Sequence, residues 1–387
     1  MRTISVVTTS RADYGIYKPV LDELQASSEI RLELLVSGMH LSPDFGMTVR
    51  DIERDGYPIT ERIEMLIASD SPEAISKAMG LGTLGFAQAY ARKRPDILIA
   101  LGDRFEMHAA VVAALPFKIP VAHIHGGEVT EGAIDDALRH SMTKMSHLHF
   151  VSTREYKCRV VQMGEEPWRV VVSGAPALDN LRRAQLLSRT GLEERFKVDL
   201  SVPPLLVTFH PETLDHERTE SHISNLLRAI EDAAFPVVFT GPNADTSGRI
   251  IAGRIREFCR THDRAWLIDN LGQQAYFSLM SLCACMVGNT SSGLIEAPAL
   301  RVPVVNIGTR QTGRIRSKNV IDCAYDRAAV LAAIRRAVSS DFRASLDDLV
   351  NPYGDGHAAP RIVSTLETVA LDERLIRKRF CTFSNVV

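Results

Sequence analysis

Three segments of the first half gather side chains that could move protons. The densest is His123-Ile124-His125-Gly126-Gly127-Glu128, which continues to Asp135-Asp136, Arg139-His140 and Lys144. Five histidines (His123, His125, His140, His147 and His149) fall within this stretch and the strand after it, with Glu128, Asp135 and Asp136 near the turn. So many titratable groups beside apolar runs exceed what a structural segment needs, and they mark a working site. Alternation along a strand puts His123 and His125 on one face. Gly126 and Gly127 let the chain turn tightly, so that Glu128 points into whatever the turn surrounds. Two histidines at this spacing would also suit a divalent metal completed by a distant Asp. His147 and His149 read as packing or capping residues. A second segment is Gly102-Asp103-Arg104-Phe105-Glu106, where Asp103 follows a strand and either faces a cleft or caps a helix. The third is Thr8-Thr9-Ser10-Arg11-Ala12-Asp13, a helix start with hydroxyls and Arg11. It suits an anion, or is a plain cap by Ser10 or Asp13 with Arg11 in solvent.

The second half carries residues suited to phosphate. His210 precedes Pro211, which holds it extended, and it could donate to a phosphate or act as an acid. Gly288-Asn289-Thr290-Ser291-Ser292-Gly293 opens a helix that carries Glu296 one turn inside. Small hydroxylic residues and Gly293 at a helix start form a phosphate cradle, and Glu296 could accept two hydrogen bonds from a ribose diol. The bland alternative is a capping box. Arg310 and Arg314 next to such a cradle suit a diphosphate; otherwise they are solvated loop charges. No G-x-G-x-x-G or G-x-x-x-x-G-K-[ST] motif is present, which disfavours a dinucleotide or P-loop site.

These residues lie just after short apolar runs, and that placement implies the fold. Runs at Ile4–Thr8, Leu32–Val36, Ile97–Leu101, Val121–Ile124, Leu148–Val151 and Val170–Val172 alternate with helical spacing over Tyr14–Leu24, Pro72–Ala91, Phe105–Ala114 and Asp135–Met145. Apolar strands alternating with helices predict parallel sheets covered on both faces. The rhythm breaks over the polar stretch Ala184–Pro204 and restarts at Leu205–Phe209, Pro236–Thr240, Trp266–Ile268, Ala284–Val287 and Pro303–Ile307. The expected fold class is therefore α/β, in two halves of similar size. The domains are 1–190, carrying the acid and base groups, and 200–365, binding the nucleotide, followed by a tail over 366–387. A last helix is predicted over His357–Asp372.

Composition narrows the function. The 387 residues carry 45 Lys+Arg against 47 Asp+Glu, a net charge of -2, which argues against a nucleic-acid surface. No run approaches the ~20 apolar residues of a membrane span, and no signal peptide is legible, so the cytoplasm is expected. The six cysteines are scattered and offer no disulfide framework. Cys283 and Cys285 read as core thiols rather than a metal pair.

Taken in order, the motifs resemble the hydrolysing UDP-N-acetylglucosamine 2-epimerases of sialic-acid-type nonulosonate biosynthesis. The resemblance runs over about residues 3 to 365 and rests on the segments above, together with Gly174-Ala175-Pro176-Ala177-Leu178-Asp179, Asn306-Ile307-Gly308 and Asn351-Pro352-Tyr353-Gly354. It implies two Rossmann-like domains facing across a cleft, a GT-B-like pair, with the last helix crossing back to the first. It implies that UDP-N-acetylglucosamine and water become UDP and N-acetylmannosamine, by anti elimination of UDP to a 2-acetamidoglucal and rehydration. The main rival substrate is UDP-N,N'-diacetylbacillosamine of the legionaminic-acid branch; a GT-B glycosyltransferase is the rival class. The resemblance assigns Asp103 and Asp135 as catalytic acids, and His210 near the diphosphate. Arg11, Ser291, Ser292, Gly293, Glu296, Arg314 and Arg139 are expected to bind the UDP-sugar. Some members have Glu where His125 stands, so that catalytic role passes to His125, to Glu128 or in larger part to Asp103, and Glu128 together with Asp103 is the expected choice. Neither metal nor redox cofactor is expected, nor any nucleic-acid or membrane partner. A homodimer or tetramer is implied.

Overall fold

A computed structural model describes residues 1–69, 71–130, 134–211, 216–241, 248–269 and 271–382. The chain forms two compact units, one from residues 1–129, 134–180 and 353 onward, the other chiefly from 181–352. The first holds β1 (Arg2–Thr8), β2 (Ile30–Ser37), β3 (Ile59–Ile63), β4 (Ile97–Leu101), β5 (Val121–Ile124), β6 (Leu148–Val151) and β7 (Val170–Val172). They make a parallel sheet of order β3-β2-β1-β4-β5-β6-β7. The second holds β8 (Leu205–Thr208), β9 (Val237–Thr240), β10 (Ala265–Ile268), β11 (Cys285–Gly288), β12 (Val304–Ile307) and β13 (Val320–Cys323). These are parallel too, in order β10-β9-β8-β11-β12-β13.

The strands are apolar because both faces are covered by helices. Ile4, Val6, Ile97, Ile99, Val121 and Ile124 are wholly buried in the first core; Leu205, Val207, Phe239, Val287 and Val305 form the second. Two strands escaped the sequence reading. β3 (Ile-Thr-Glu-Arg-Ile) and β13 (Val-Ile-Asp-Cys) are edge strands, where one side meets solvent and charge is tolerated. The predicted last helix, His357–Asp372, ends sooner, as Ala358–Thr368, and a separate turn of helix, Glu373–Ile376, follows with Asp372 as its cap. Ala358–Thr368 packs on the helix Arg11–Ala26 of the first unit. Its first two amides, on Ala358 and Ala359, each donate to the Asp179 carboxylate at 2.9 Å. Among the described residues no helix is long and apolar enough to cross a membrane.

Within each sheet the strand order reverses once, between β1 and β4 and between β8 and β11. Loops diverge there to either side, leaving a crevice at the carboxyl ends of those strands. The segments Thr8–Ser10 and Gly102–Arg104 leave the first switch point, and His210 and Asn289–Ser291 the second.

The tail is bolted to the first unit by buried charge. The Arg169 guanidinium, fully buried, donates to the carbonyls of Arg374 (2.6 Å) and Leu375 (2.8 Å). Lys378 Nζ donates to the carbonyls of Lys144 (2.7 Å) and Ser146 (2.6 Å) and meets Glu165 at 2.8 Å. Glu165 also takes Lys144 at 2.5 Å and His149 at 3.1 Å. Burial alone would raise the Glu165 carboxyl, but the bonds from His149, Lys144 and Lys378 overcome it and hold it at about 2. Its folded value therefore lies below its unfolded one, so its stabilisation is complete above roughly pH 4.5 and is lost as pH falls toward 2. Thermal unfolding between pH 7 and 3 should show Tm falling more steeply for the native chain than for Glu165→Gln. Parallel curves would remove Glu165 from the acid response.

Candidate active site

In the first unit the turn after β1 encloses a buried acid. Asp13 accepts hydrogen bonds from the Thr8 hydroxyl, from Thr9 Oγ1 at 2.7 Å and from Ser10 Oγ at 2.9 Å. Burial raises its carboxyl above the usual range despite those donors. His40 lies 3.0 Å from Thr8 Oγ1 and 2.7 Å from Thr48 Oγ1, and burial lowers it to about 4, so it is neutral. Ser10 is the helix cap and Arg11 is exposed. The sequence reading treated Asp13 only as a possible cap; its own signal was an Asp flanked by three hydroxyls in the preceding five residues.

The turn after β4 carries Asp103, partly exposed and in an ion pair with Arg139. Arg139 is buried on the helix Ile134–Met145 and holds the acid in place. Asp135, in the first turn of that helix, is partly buried and close enough to Arg104 to act on it electrostatically. Arg104 forms a two-bond pair with the wholly buried Glu106, at 3.1 and 2.7 Å.

The histidines of β5 do not share a face. β5 ends at Ile124, and His125 adopts φ 65°, which breaks the alternation. His123 Nε2 lies 2.8 Å from the Gly102 carbonyl and its Nδ1 lies 3.2 Å from Thr143 Oγ1. A carbonyl only accepts, so Nε2 carries the hydrogen and Nδ1 accepts from Thr143. Burial lowers His123 to about 3, so it stays neutral. Both its nitrogens are thus committed to the protein, and among the described residues no group of three His, Cys, Asp or Glu could hold a metal ion. His125 Nδ1 instead meets Glu128 Oε1 at 2.6 Å, and Ser152 Oγ donates to the same oxygen at 3.2 Å. Gly127 has φ 76°, and a Cβ there would lie 2.7 Å from the Tyr156 carbonyl. The glycines therefore let the turn sit against the helix Arg154–Gln162 as well as bend. His147 accepts from the Val121 amide at 3.1 Å, and His149 pairs with Glu165, which makes both structural.

In the second unit Asn289 is the hub. Its side chain accepts from the His210 amide and donates to the His210 carbonyl, each at 2.8 Å. Its own carbonyl takes Gln311 Nε2 at 2.8 Å and Arg310 at 3.3 Å. The strand ends meet closely because residue 288 is glycine, with φ 139°; a Cβ there would lie 1.9 Å from the Thr208 carbonyl. Burial, reinforced by Arg310, lowers His210 to about 3, so it is a neutral donor; an anionic diphosphate against it would raise it. The helix expected to carry Glu296 is a single turn, Ser292–Ile295, with Ser291 at its start and Glu296 at its end. Tyr276 hydrogen-bonds Ser292. A Cβ on Gly293 would come within 2.7 Å of Val304 Cγ1, so its smallness serves packing on β12. Arg314 is partly buried in the turn after β12. Glu212 and Thr213, part of the His210 motif, lie outside the described residues. By sequence Asn289 is one residue of the cradle motif with no role of its own; what marks it is an Asn directly after a strand-ending glycine.

The profile of the UDP-N-acetylglucosamine 2-epimerase family matches residues 22–367. A Campylobacter jejuni protein named GDP/UDP-N,N'-diacetylbacillosamine 2-epimerase (hydrolyzing) is 37% identical over 382 residues, 98% of each chain. The UDP-N,N'-diacetylbacillosamine 2-epimerase (hydrolyzing) of Legionella pneumophila is 34% identical, over 98% of this chain and 99% of the relative. Among solved structures, the Neisseria meningitidis UDP-GlcNAc 2-epimerase bound to UDP-GlcNAc superposes with a TM-score of 0.81 at 20% identity, covering 95% of this chain and 99% of that one. Such a likeness describes the fold.

The Asn289 clasp can be tested without a ligand. Asn289→Ala leaves a buried N–H and C=O of His210 without partners, at a cost of about 1–3 kcal/mol. Thermal unfolding should show a Tm several degrees lower; an unchanged Tm would mean that the clasp contributes nothing.

Proposed function

The chain belongs to the UDP-N-acetylglucosamine 2-epimerase family, and on that footing we propose that it is a hydrolysing 2-epimerase of a nucleotide-linked N,N'-diacetylbacillosamine. The observation that carries the substrate is the end-to-end match to relatives named for that sugar, at 37% and 34% identity. It moves UDP-N-acetylglucosamine, the first expectation from sequence, to second place. In this reading the first unit supplies acid and base groups and the second holds the nucleotide. The proposal includes action in the cytoplasm, as a homodimer or tetramer, with neither metal nor redox cofactor.

The chemistry suits the side chains available. A C2 proton that is not alpha to a carbonyl is weakly acidic, so its removal must be coupled to loss of the diphosphate. That asks for acid and base groups near C2, which Asp103, Asp135, His125 and Glu128 can provide. It asks for donors at the diphosphate, a task for His210, Ser291, Ser292 and the arginines. Arg11 and Arg314 are candidates for the phosphates, and Glu296 for the ribose.

Proton NMR in D2O with the UDP- and GDP-linked diacetylbacillosamines and with UDP-N-acetylglucosamine tests the reading. Release of the nucleoside diphosphate from a bacillosamine compound, with deuterium at C2 of an epimerised free sugar, is the expected result. Turnover confined to UDP-N-acetylglucosamine would return the substrate to the first expectation. Asp103→Asn should lower kcat by about 100-fold or more while UDP binding by calorimetry survives. Near-native turnover would remove Asp103 from the chemistry.

A further inference from the structure

His125 stands at the carboxyl end of β5 with one ring nitrogen committed and one left over. Its Nδ1 lies 2.6 Å from Glu128 Oε1. A carboxylate oxygen only accepts, so Nδ1 carries a hydrogen, and in the neutral ring Nε2 is the acceptor. Nε2 is buried and, among the described residues, has no hydrogen-bond partner. The backbone at His125 is also strained: a φ of 65° is left-handed, which a residue with a Cβ disfavours. A strained backbone and an unfilled acceptor coincide at one residue, and such costs persist where a ligand completes the arrangement. His149 makes a similar carboxylate contact, to Glu165, but it is enclosed within β6, and Lys144 and Lys378 share its carboxylate. It belongs to the tail clamp.

We propose that His125 is the general base of the elimination, and that Glu128 is a positioning residue acting through it; the assignment rests on the epimerase reading above. The Nε2 lone pair takes the proton from C2 of the sugar. The C2–H electron pair becomes the C1=C2 double bond, and the C1–O bond breaks with its electrons on the departing diphosphate oxygen. The imidazolium so formed faces the Glu128 carboxylate, which keeps the ring oriented and stabilises its new charge. Ser152, 3.2 Å from the same carboxylate oxygen, holds Glu128 in turn. The abstracted proton passes to solvent. Rehydration then places hydroxide from water on C1 and a solvent-derived proton on the opposite face of C2, so the sum is substrate plus water.

The test compares His125→Gln, His125→Glu, Glu128→Gln and the double variant His125→Gln/Glu128→Gln in the full chain. Nucleotide release and C2 deuteration in D2O are followed, with UDP binding as the check on folding. His125→Gln should lower kcat about 100-fold or more, with KM within about threefold of native. His125→Glu, whose carboxylate can again accept a proton, should recover at least about tenfold over Gln. Glu128→Gln should lower kcat in the native background and cost nothing further beside His125→Gln, because its effect runs through the imidazole. Near-native kcat in His125→Gln, or a full additive loss in the double variant, overturns the assignment. If Gln at 125 prevents folding, a folded but inactive His125→Glu overturns it equally. Native protein that binds UDP but turns over none of the three nucleotide sugars would overturn the epimerase reading and this assignment with it. Native turnover alongside an indifferent His125→Gln overturns the assignment alone.

Discussion

A neutral imidazole near the carboxyl end of β5 holds three segments of the first unit together. His123 donates from Nε2 to the Gly102 carbonyl and accepts at Nδ1 from Thr143. One ring thereby ties the Asp103 turn after β4, the end of β5 that begins the His125 turn, and the helix that carries Asp135 and Arg139. It does so because burial keeps it uncharged, with one donor and one acceptor in fixed positions. Gly126 follows from this ring, since a Cβ there would crowd both His123 Nδ1 and Thr143 Oγ1 at 3.1 Å. A metal on His123 would need one of those two bonds broken, which is why the His-x-His pattern does not read as a ligand pair once folded.

The two units handle charge in opposite ways. In the first, buried or half-buried carboxylates are given partners: Asp103 with Arg139, Glu106 with Arg104, Glu128 with His125, and Asp13 in a nest of hydroxyls. Isolated burial of such groups would cost far more than the fold could offset, so the pairs hold them at fixed positions. In the second, His210 is neutral and Asn289 fixes its backbone, leaving positive charge to the arginines that follow β12.

The tail clamp shows the same logic applied to stability. Lys378 caps the carbonyls of Lys144 and Ser146 at the end of the helix Ile134–Met145, whose other end bears Asp135. Arg169 does the same for the carbonyls of Glu373–Ile376 and its C-terminal neighbour. Helix ends leave carbonyls unsatisfied, and cations there answer both the missing bonds and the dipole. The last described residues of the chain therefore brace the far end of the helix whose first turns carry Asp135 and Arg139.

Much of this was legible in the residues alone. Apolar runs located the central strands of both sheets, because a strand buried on both faces must be apolar throughout. Parallel order then directs attention to the turns after those strands, where Asp103, His125, Glu128, His210 and Ser291 lie. Edge strands β3 and β13 stayed hidden because one exposed side admits charge. Partnerships were beyond reach: Asp103 and Arg139 are 36 residues apart, His210 and Asn289 are 79 apart. Nothing local distinguishes an arginine that binds substrate from one that holds an acid, or a glycine that admits phosphate from Gly293, which admits Val304. The chain by itself determined which groups are present and at which strand ends they emerge, since both follow from periodicity. Only tertiary structure decided which nitrogen of His125 carries its hydrogen and which arginine is spoken for, since those depend on contacts between segments distant in sequence.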